Sequence, residues 1–457
     1  MTAPLRTILK SWDARKEGDD VYSLVSDLFP FCRSITGDGL RASLKTIQKR
    51  VDLRLHEVPT GTQVYDWAVP KEWNIRDAYI KDSKGRRIVD FQKSNLHVVN
   101  YSVPVRKRMR LAELREHLFT LPGSPDLVPY RTSYYQETWG FCLSHSLFET
   151  MSDEEYEVCI DSTLEPGHLS FGEFTLQGAT NDEVIISAHS CHPSLCNDNI
   201  SGMAVAAKLA ELLASLPLRY SYRFLWVPAT IGTITWLAHN ESVVPKIKHG
   251  LVLSSVGDPG KFTYKRSRDG SAEIDRAFEC VLRTSGTAFE VRDFTPYGCD
   301  ERQYGSPGIN RPVGCFMRTP NEEYAQNHTS ADNLDFVTPA ALAESVRILL
   351  LVLEVLEENR CYRNLNPKCE PQLGRRGLYG QMGGKSGRLF EEAIVWVLNF
   401  SDGHHSLLDI AERSNVEFGK LVEAAETLIA HGLLEQFAPL NGYPADFLGR
   451  LAHAPPR

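Results

Sequence analysis

A chain of 457 residues with 42% apolar and 24% charged side chains can bury a sizeable core, and at about 100 to 200 residues per domain it holds two to four domains. Its formal charge of -8 gives no global positive field, which argues against nucleic acid and membrane surfaces as partners. No run reaches the ~18 uninterrupted apolar residues of a membrane span, and MTAPLRTILKSWDARKEGDD has no apolar segment before a small-residue cleavage site, so a cytoplasmic location is expected.

Residues 22–51 read as a helix, a turn at CRSITGDG and a second helix with apolar residues at helical spacing. Over 53–173 aromatic, Pro and Gly residues interrupt short β-branched runs, which predicts an inserted β-rich domain. From DEVIISAHS onward the pattern is strand, loop, helix, strand: EVIISA is a buried strand, SGMAVAAKLAELLASL an amphipathic helix, and SYRFLWVPA and HGLVLSSVG are further strands. This predicts an α/β domain over 1–52 and 174–365, built on a mainly parallel mixed sheet flanked by helices. Ligands bind outside the carboxyl ends of the strands in such sheets, where the loop with His189 and Asp198 falls.

After a helix near 339–358, the stretch 359–387 is rich in Pro, Gly and basic residues and reads as a linker. Three helical segments and a short wing then predict a winged-helix domain over 386–445. Acids outnumber bases from Lys385 onward, the opposite of what phosphate neutralisation needs. The tail is therefore expected to make protein contacts, as in a homo-oligomer.

SAHSCHPSLCNDNISG concentrates the chemistry. Ten cysteines without framework spacing read as reduced thiols, and Cys191 and Cys196 are too far apart for a redox C-x-x-C pair. Zinc takes His nitrogen and carboxylate oxygen, which makes His189, His192, Asp198 and the distant His328 of NHTSADNLDFV candidate ligands. Asp198 also reads as a helix N-cap, although Asn199 or Ser201 can fill that role and leave it free.

SAHSCHPSLCNDNISGMAVAAKLAELL, RFLWVPATIGTITWLA and HTSADNLDFV together resemble the zinc aminopeptidase superfamily of leucyl aminopeptidases and glutaminyl cyclases. VPTGTQVYDWAVPKEWNIRDAYI and YGCDERQYGSPG extend the resemblance to an aminopeptidase-like branch with an inserted domain and a C-terminal winged helix. The resemblance implies His189 as the first zinc ligand, with His192 as its alternate, Asp198 as the bridging carboxylate and His328 as the last ligand. It also implies that Asp332 supports the ligands rather than binding metal.

The chain departs from that pattern where it matters for catalysis. Ala229 and Thr230 stand where the superfamily has Glu-Glu, and branch members read Pro-Glu-Thr-Ile-Gly against PATIG here. Ala229 therefore occupies the general-base position, by introduced or natural change. Ser254 or Ser255 replaces another acidic ligand, so one zinc ion is expected rather than two.

Asp300, Glu301 and Arg302 of YGCDERQYGSPG are implied beside the metal. Asp300 and Glu301 are candidate catalytic acids, and Arg302 a candidate for a substrate carboxylate. Thr230 and Arg33 are further substrate-binding candidates, while the aromatics of TSYYQETWGFCLSH read as core or as a stacking surface.

The expected function is a zinc-dependent, aminopeptidase-like hydrolase of a small peptide or aminoacyl compound. The alternatives are a deacylase, amidase or cyclase in small-molecule or polysaccharide biosynthesis, and a non-catalytic binding protein on a degenerate peptidase scaffold.

Overall fold

The computed structural model describes residues 4–378 and 385–437. It divides into two compact units, one spanning Ile8–Asp275 and Thr287–Leu350, the other drawing on Met1–Thr7, Arg276–Gly286 and Leu351–Arg457.

The larger unit is organised by an eight-stranded mixed sheet. Glu183–His189 runs parallel to both Ser221–Val227 and Ile247–Leu253, and Ile247–Leu253 runs parallel to Val313–Met317. All seven residues of Glu183–His189 are buried, which explains why this stretch is apolar on both faces rather than alternating. The register sets His189 beside Val227, so both strands end at one level.

Gly202–Leu213 covers the sheet with an almost continuously buried surface. Its N-terminus is capped by Asn199, whose Oδ1 accepts the Gly202 N–H at 3.2 Å, and this leaves the Asp198 carboxylate for other partners.

The segment 53–173 contributes to four sheets, two of them two-stranded: the hairpin Gln63–Val64 with Trp67–Ala68, and Leu118–Phe119 with Phe141–Cys142. Glu72–Lys81, Arg87–Asp90, Val105–Arg110 and Glu155–Glu165 form a separate antiparallel sheet around Ala78, Ile80, Val158 and Ile160. Arg54–Pro59 and His168–Leu176 join the large sheet instead, the latter antiparallel to Ser221–Val227.

In the smaller unit, the helices Lys385–Phe400, Leu407–Ser414 and Phe418–Ala430 accompany a three-stranded antiparallel sheet. The central strand of that sheet is Cys361–Asn364, paired with Asp402–Ser406 and Leu434–Phe437. The stretch read as a linker therefore opens with a strand, because its Pro and Gly residues mask the short run CYRN. Ser406 and Asp409 form a reciprocal capping box at the second helix. Residues 438–445 of the expected winged helix lie outside the described residues.

Candidate metal and active site

The site is assembled at the carboxyl ends of the parallel strands. His189 is the last residue of its strand, and Ala229 and Thr230 follow Ser221–Val227 immediately before the helix Ile231–His239. The peptide bonds Asp198–Asn199 and Ala229–Thr230 are both cis.

Asp198 is the centre of the cluster and is fully buried. Its Oδ1 lies 2.9 Å from His189 Nε2, and its Oδ2 lies 3.4 Å from His192 Nδ1 and 3.0 Å from His328 Nε2. Burial works to lift the Asp198 carboxyl, but His192, His189 and His328 override it and hold the group well below the usual carboxylate range. The donor atoms of His192, Asp198 and His328 all lie within 4.8 Å of one another, a spacing that can hold a metal ion. Asp198 Oδ1 is buried without a hydrogen-bond donor, and the nitrogen and oxygen donors suit zinc.

Supporting groups fix these side chains. Asp332 accepts the backbone N–H groups of Asn197 at 2.6 Å and Asp198 at 3.0 Å, while burial pushes its carboxyl up to about 7. Tyr130 accounts for the position of His328: its N–H donates to the His328 carbonyl at 2.7 Å, and its ring packs on His192 and His328 with centroids 5.0 and 5.3 Å apart. Cys191 lies between the two nearby histidines; burial opposes ionisation, but His192 and His189 bring the thiol down to about 6. Sequence reasoning missed Tyr130, which lies in a different segment and carries no motif.

A cavity of about 570 Å³ opens beside the cluster, lined by His189, His192, Asp198, Ala229, Asp300 and Arg302, among others. Thr230 is also in the wall, and its Oγ1 accepts from Arg302 Nη2 at 3.3 Å. The Arg302 Nε is buried without an acceptor, and no carboxylate among the described residues pairs with this guanidinium. Asp300 Oδ2 accepts from Thr233 Oγ1 at 2.7 Å, and burial outweighs that bond to push the carboxyl above its ordinary value.

Two expectations are corrected. Glu301 does not reach the cavity wall: it is fully buried and paired with Lys265, whose Nζ also donates to the Tyr297 carbonyl at 2.7 Å. Arg33 is likewise buried outside the cavity, and donates to the carbonyls of His192 at 2.9 Å and Leu28 at 2.6 Å. Arg33 therefore steadies the His192 loop and has no path to substrate. The carboxylate of Asp258 belongs to a structural turn, held by Thr319 Oγ1 at 2.6 Å.

The mixed sheet flanked by helices, with His189 and Asp198 at the carboxyl ends of its parallel strands, has a zinc aminopeptidase-like fold, joined in this chain to a winged helix. The profile of the family described as domain of unknown function DUF4910 matches residues 22–359, and a winged helix-turn-helix profile matches residues 360–436. The chain belongs to the DUF4910 family.

A Clostridium acetobutylicum protein, provisionally named polysaccharide biosynthesis protein with aminopeptidase-like domain, is 50% identical over 93% of this chain and 98% of its own length. A crystal structure from Clostridium acetobutylicum, provisionally described as a peptidase, matches at 48% identity and TM-score 0.90 over 94% of this chain and 100% of that one. The zinc aminopeptidase BSAP of Bacillus subtilis is 14% identical with TM-score 0.54, covering 74% of this chain and 95% of its own, a likeness of fold.

Proposed function

We propose that this protein is a zinc-dependent, aminopeptidase-like amide hydrolase acting on a small peptide or aminoacyl compound. The observation that carries the reading is the convergence of His189, His192 and His328 on the buried Asp198 at the carboxyl ends of the sheet. His189, Asp198 and His328 would hold one ion, with His192 as the alternate ligand. One ion is favoured over two because Thr230, Ser254 and Ser255 supply no carboxylate. A zinc ion bound there supplies a Lewis acid for the scissile carbonyl and a water of lowered pKa.

The rest of the chemistry falls to the cavity wall. Position 229 lines the same cavity as the cluster, and a carboxylate there would take the proton from the attacking water in the active form. Ala229 cannot do so; of the carboxyls that line the cavity besides Asp198, Asp293, Glu322 and Glu323 are exposed, and the buried Asp300, raised above its ordinary value, is the candidate to move a proton. Arg302, whose guanidinium has no carboxylate partner among the described residues, is the group to receive a substrate carboxylate, with Thr230 orienting it.

Two other readings each have support. The name of the Clostridium acetobutylicum relative favours a deacylase, amidase or cyclase in polysaccharide biosynthesis. Ala229 favours a binding protein that has lost catalysis. On either reading the protein is cytoplasmic, binds neither nucleic acid nor membrane, and oligomerises through its winged-helix tail. Mass spectrometry of products from the zinc-loaded Ala229→Glu protein, which carries the missing carboxylate, separates the readings. Cleavage with gain of water supports the hydrolase, loss of ammonia or water without cleavage supports a cyclase, and unchanged substrate supports the binding protein.

A further inference from the structure

The sequence raises a stacking role for TSYYQETWG that the hydrolase reading leaves unused. The structure divides this stretch. Trp139 stacks on His117 with centroids 3.6 Å apart, and Tyr134 packs against the main core, whereas Tyr135 is 49% exposed. Tyr135 meets Trp67, itself 40% exposed, with ring centroids 5.3 Å apart and planes at 66°. Tyr65 adds a third exposed ring two residues before Trp67 in the same hairpin.

These rings are held out rather than left loose. Val64 is fully buried beside Trp67 in the pairing of the hairpin, and Gln63 Nε2 donates to the Tyr65 carbonyl at 2.7 Å across its tip. Both Tyr65 and Tyr135 have positive φ, 55° and 67°, a conformation that side-chain-bearing residues rarely adopt and that concentrates at binding sites.

The exposed rings connect to the metal ligands through an unbroken aromatic series. The Tyr130 ring packs on His192 and His328, its hydroxyl lies 3.0 Å from that of Tyr134, and the Tyr134 ring meets Tyr135 with centroids 6.3 Å apart. The hairpin itself packs on Ile231–His239, the helix that begins at the cavity wall.

We infer that Trp67 and Tyr135 form a subsite outside the catalytic cavity that stacks on uncharged sugar rings of the substrate. This deepens the amide-hydrolase reading by narrowing its aminoacyl compound to one that carries sugar, and rests on that reading for the position of the scissile bond. Rings at 66° cannot clamp one flat base between them, but they offer separate faces to successive puckered rings. Asp66 lies between Tyr65 and Trp67 in the hairpin, Glu241 interacts with Tyr65, and Glu137, two residues after Tyr135, is already paired with Lys71 at 2.6 Å. Such carboxylates accept hydrogen bonds from sugar hydroxyls and repel phosphate, so a neutral saccharide fits where a nucleotide does not.

The test is binding of the zinc-loaded full chain to an array of neutral hexose and N-acetylhexosamine oligosaccharides, with a peptide array in parallel. The variants are Trp67→Ser and Tyr135→Asn, singly and together, Asn being chosen because it tolerates the positive φ of Tyr135. The expected result is retention of the wild type by oligosaccharides and at least a tenfold loss in the double variant. Absence of oligosaccharide binding, binding that the double variant keeps, or preferential capture by peptides through the same two rings overturns the proposal. Zinc content of the same samples reports the hydrolase reading separately: oligosaccharide binding without zinc contradicts that reading and leaves the stacking surface standing.

Discussion

Asp332 and Asp198 are joined through the backbone: the Asp332 carboxylate accepts the Asp198 N–H at 3.0 Å and the neighbouring Asn197 N–H at 2.6 Å across more than 130 residues of chain. Asp332 thereby fixes the turn that aims Asp198 at the three imidazoles. Asp332→Asn replaces one acceptor oxygen with a donor facing an N–H group, and zinc affinity is expected to fall by ~10- to 100-fold, the usual cost of losing a ligand's support. Competition with a chromophoric chelator measures it, and unchanged affinity contradicts the assigned role.

Ala229→Glu restores a carboxylate to the cavity wall beside the cluster. Hydrolysis of leucinamide is expected to rise by ~10²- to 10⁴-fold, the range for a positioned general base. A restored protein that binds this compound without turning it over supports the non-catalytic reading instead.

Arg302 has no carboxylate partner among the described residues and leaves its Nε unsatisfied. In the Ala229→Glu background, Arg302→Met is expected to lower kcat/KM for the dipeptide Leu-Gly by ~10- to 100-fold, consistent with losing a charge-assisted hydrogen bond worth about 1.5 to 3 kcal/mol. Leucinamide, which lacks the terminal carboxylate, is the control and should change little. Equal losses on both substrates contradict carboxylate recognition.

Glu173 links two strands and a helix: it accepts from Trp236 Nε1 at 3.0 Å, lies 2.9 Å from His56 Nε2 and pairs with Arg223. Burial would raise its carboxyl, but His56, Trp236 and Arg223 bring it down to about 2. A depressed folded-state value means stability present above the ordinary value of 4.5 and lost as pH falls toward about 2. Glu173→Gln is therefore expected to cost on the order of 2 kcal/mol at pH 7 by denaturant titration, with the gap to wild type narrowing as pH drops from 5 to 3. A gap independent of pH assigns the loss to packing.

The strands Glu183–His189 and Ser221–Val227 are legible because burial on both faces leaves continuous apolar runs in EVIISA and SYRFLWV. The destination of His168–Leu176 is not, since its antiparallel pairing with Ser221–Val227 joins residues about fifty positions apart and leaves no local pattern. The resemblance implies His189, Asp198 and His328 as ligands with His192 as alternate; in the structure all three imidazoles lie at the Asp198 carboxylate, and the donor group of metal-holding spacing that includes His328 is His192, Asp198 and His328. Motif spacing could not separate Asp300 from Glu301. Those neighbours differ because Lys265, 36 residues away, holds Glu301 behind the wall while Thr233 holds Asp300 within it. Arg33 was misread for a related reason: its turn resembles an exposed loop, whereas its partners are distant backbone carbonyls.

Metal analysis of the purified full chain tests the central claim most directly. The account predicts one zinc per chain, with an anomalous peak among Asp198, His328 and His189 or His192, and loss of that zinc in His328→Ala. A wild-type protein that takes up no zinc under saturating conditions, or a His328→Ala variant that keeps it with unchanged affinity, contradicts the account.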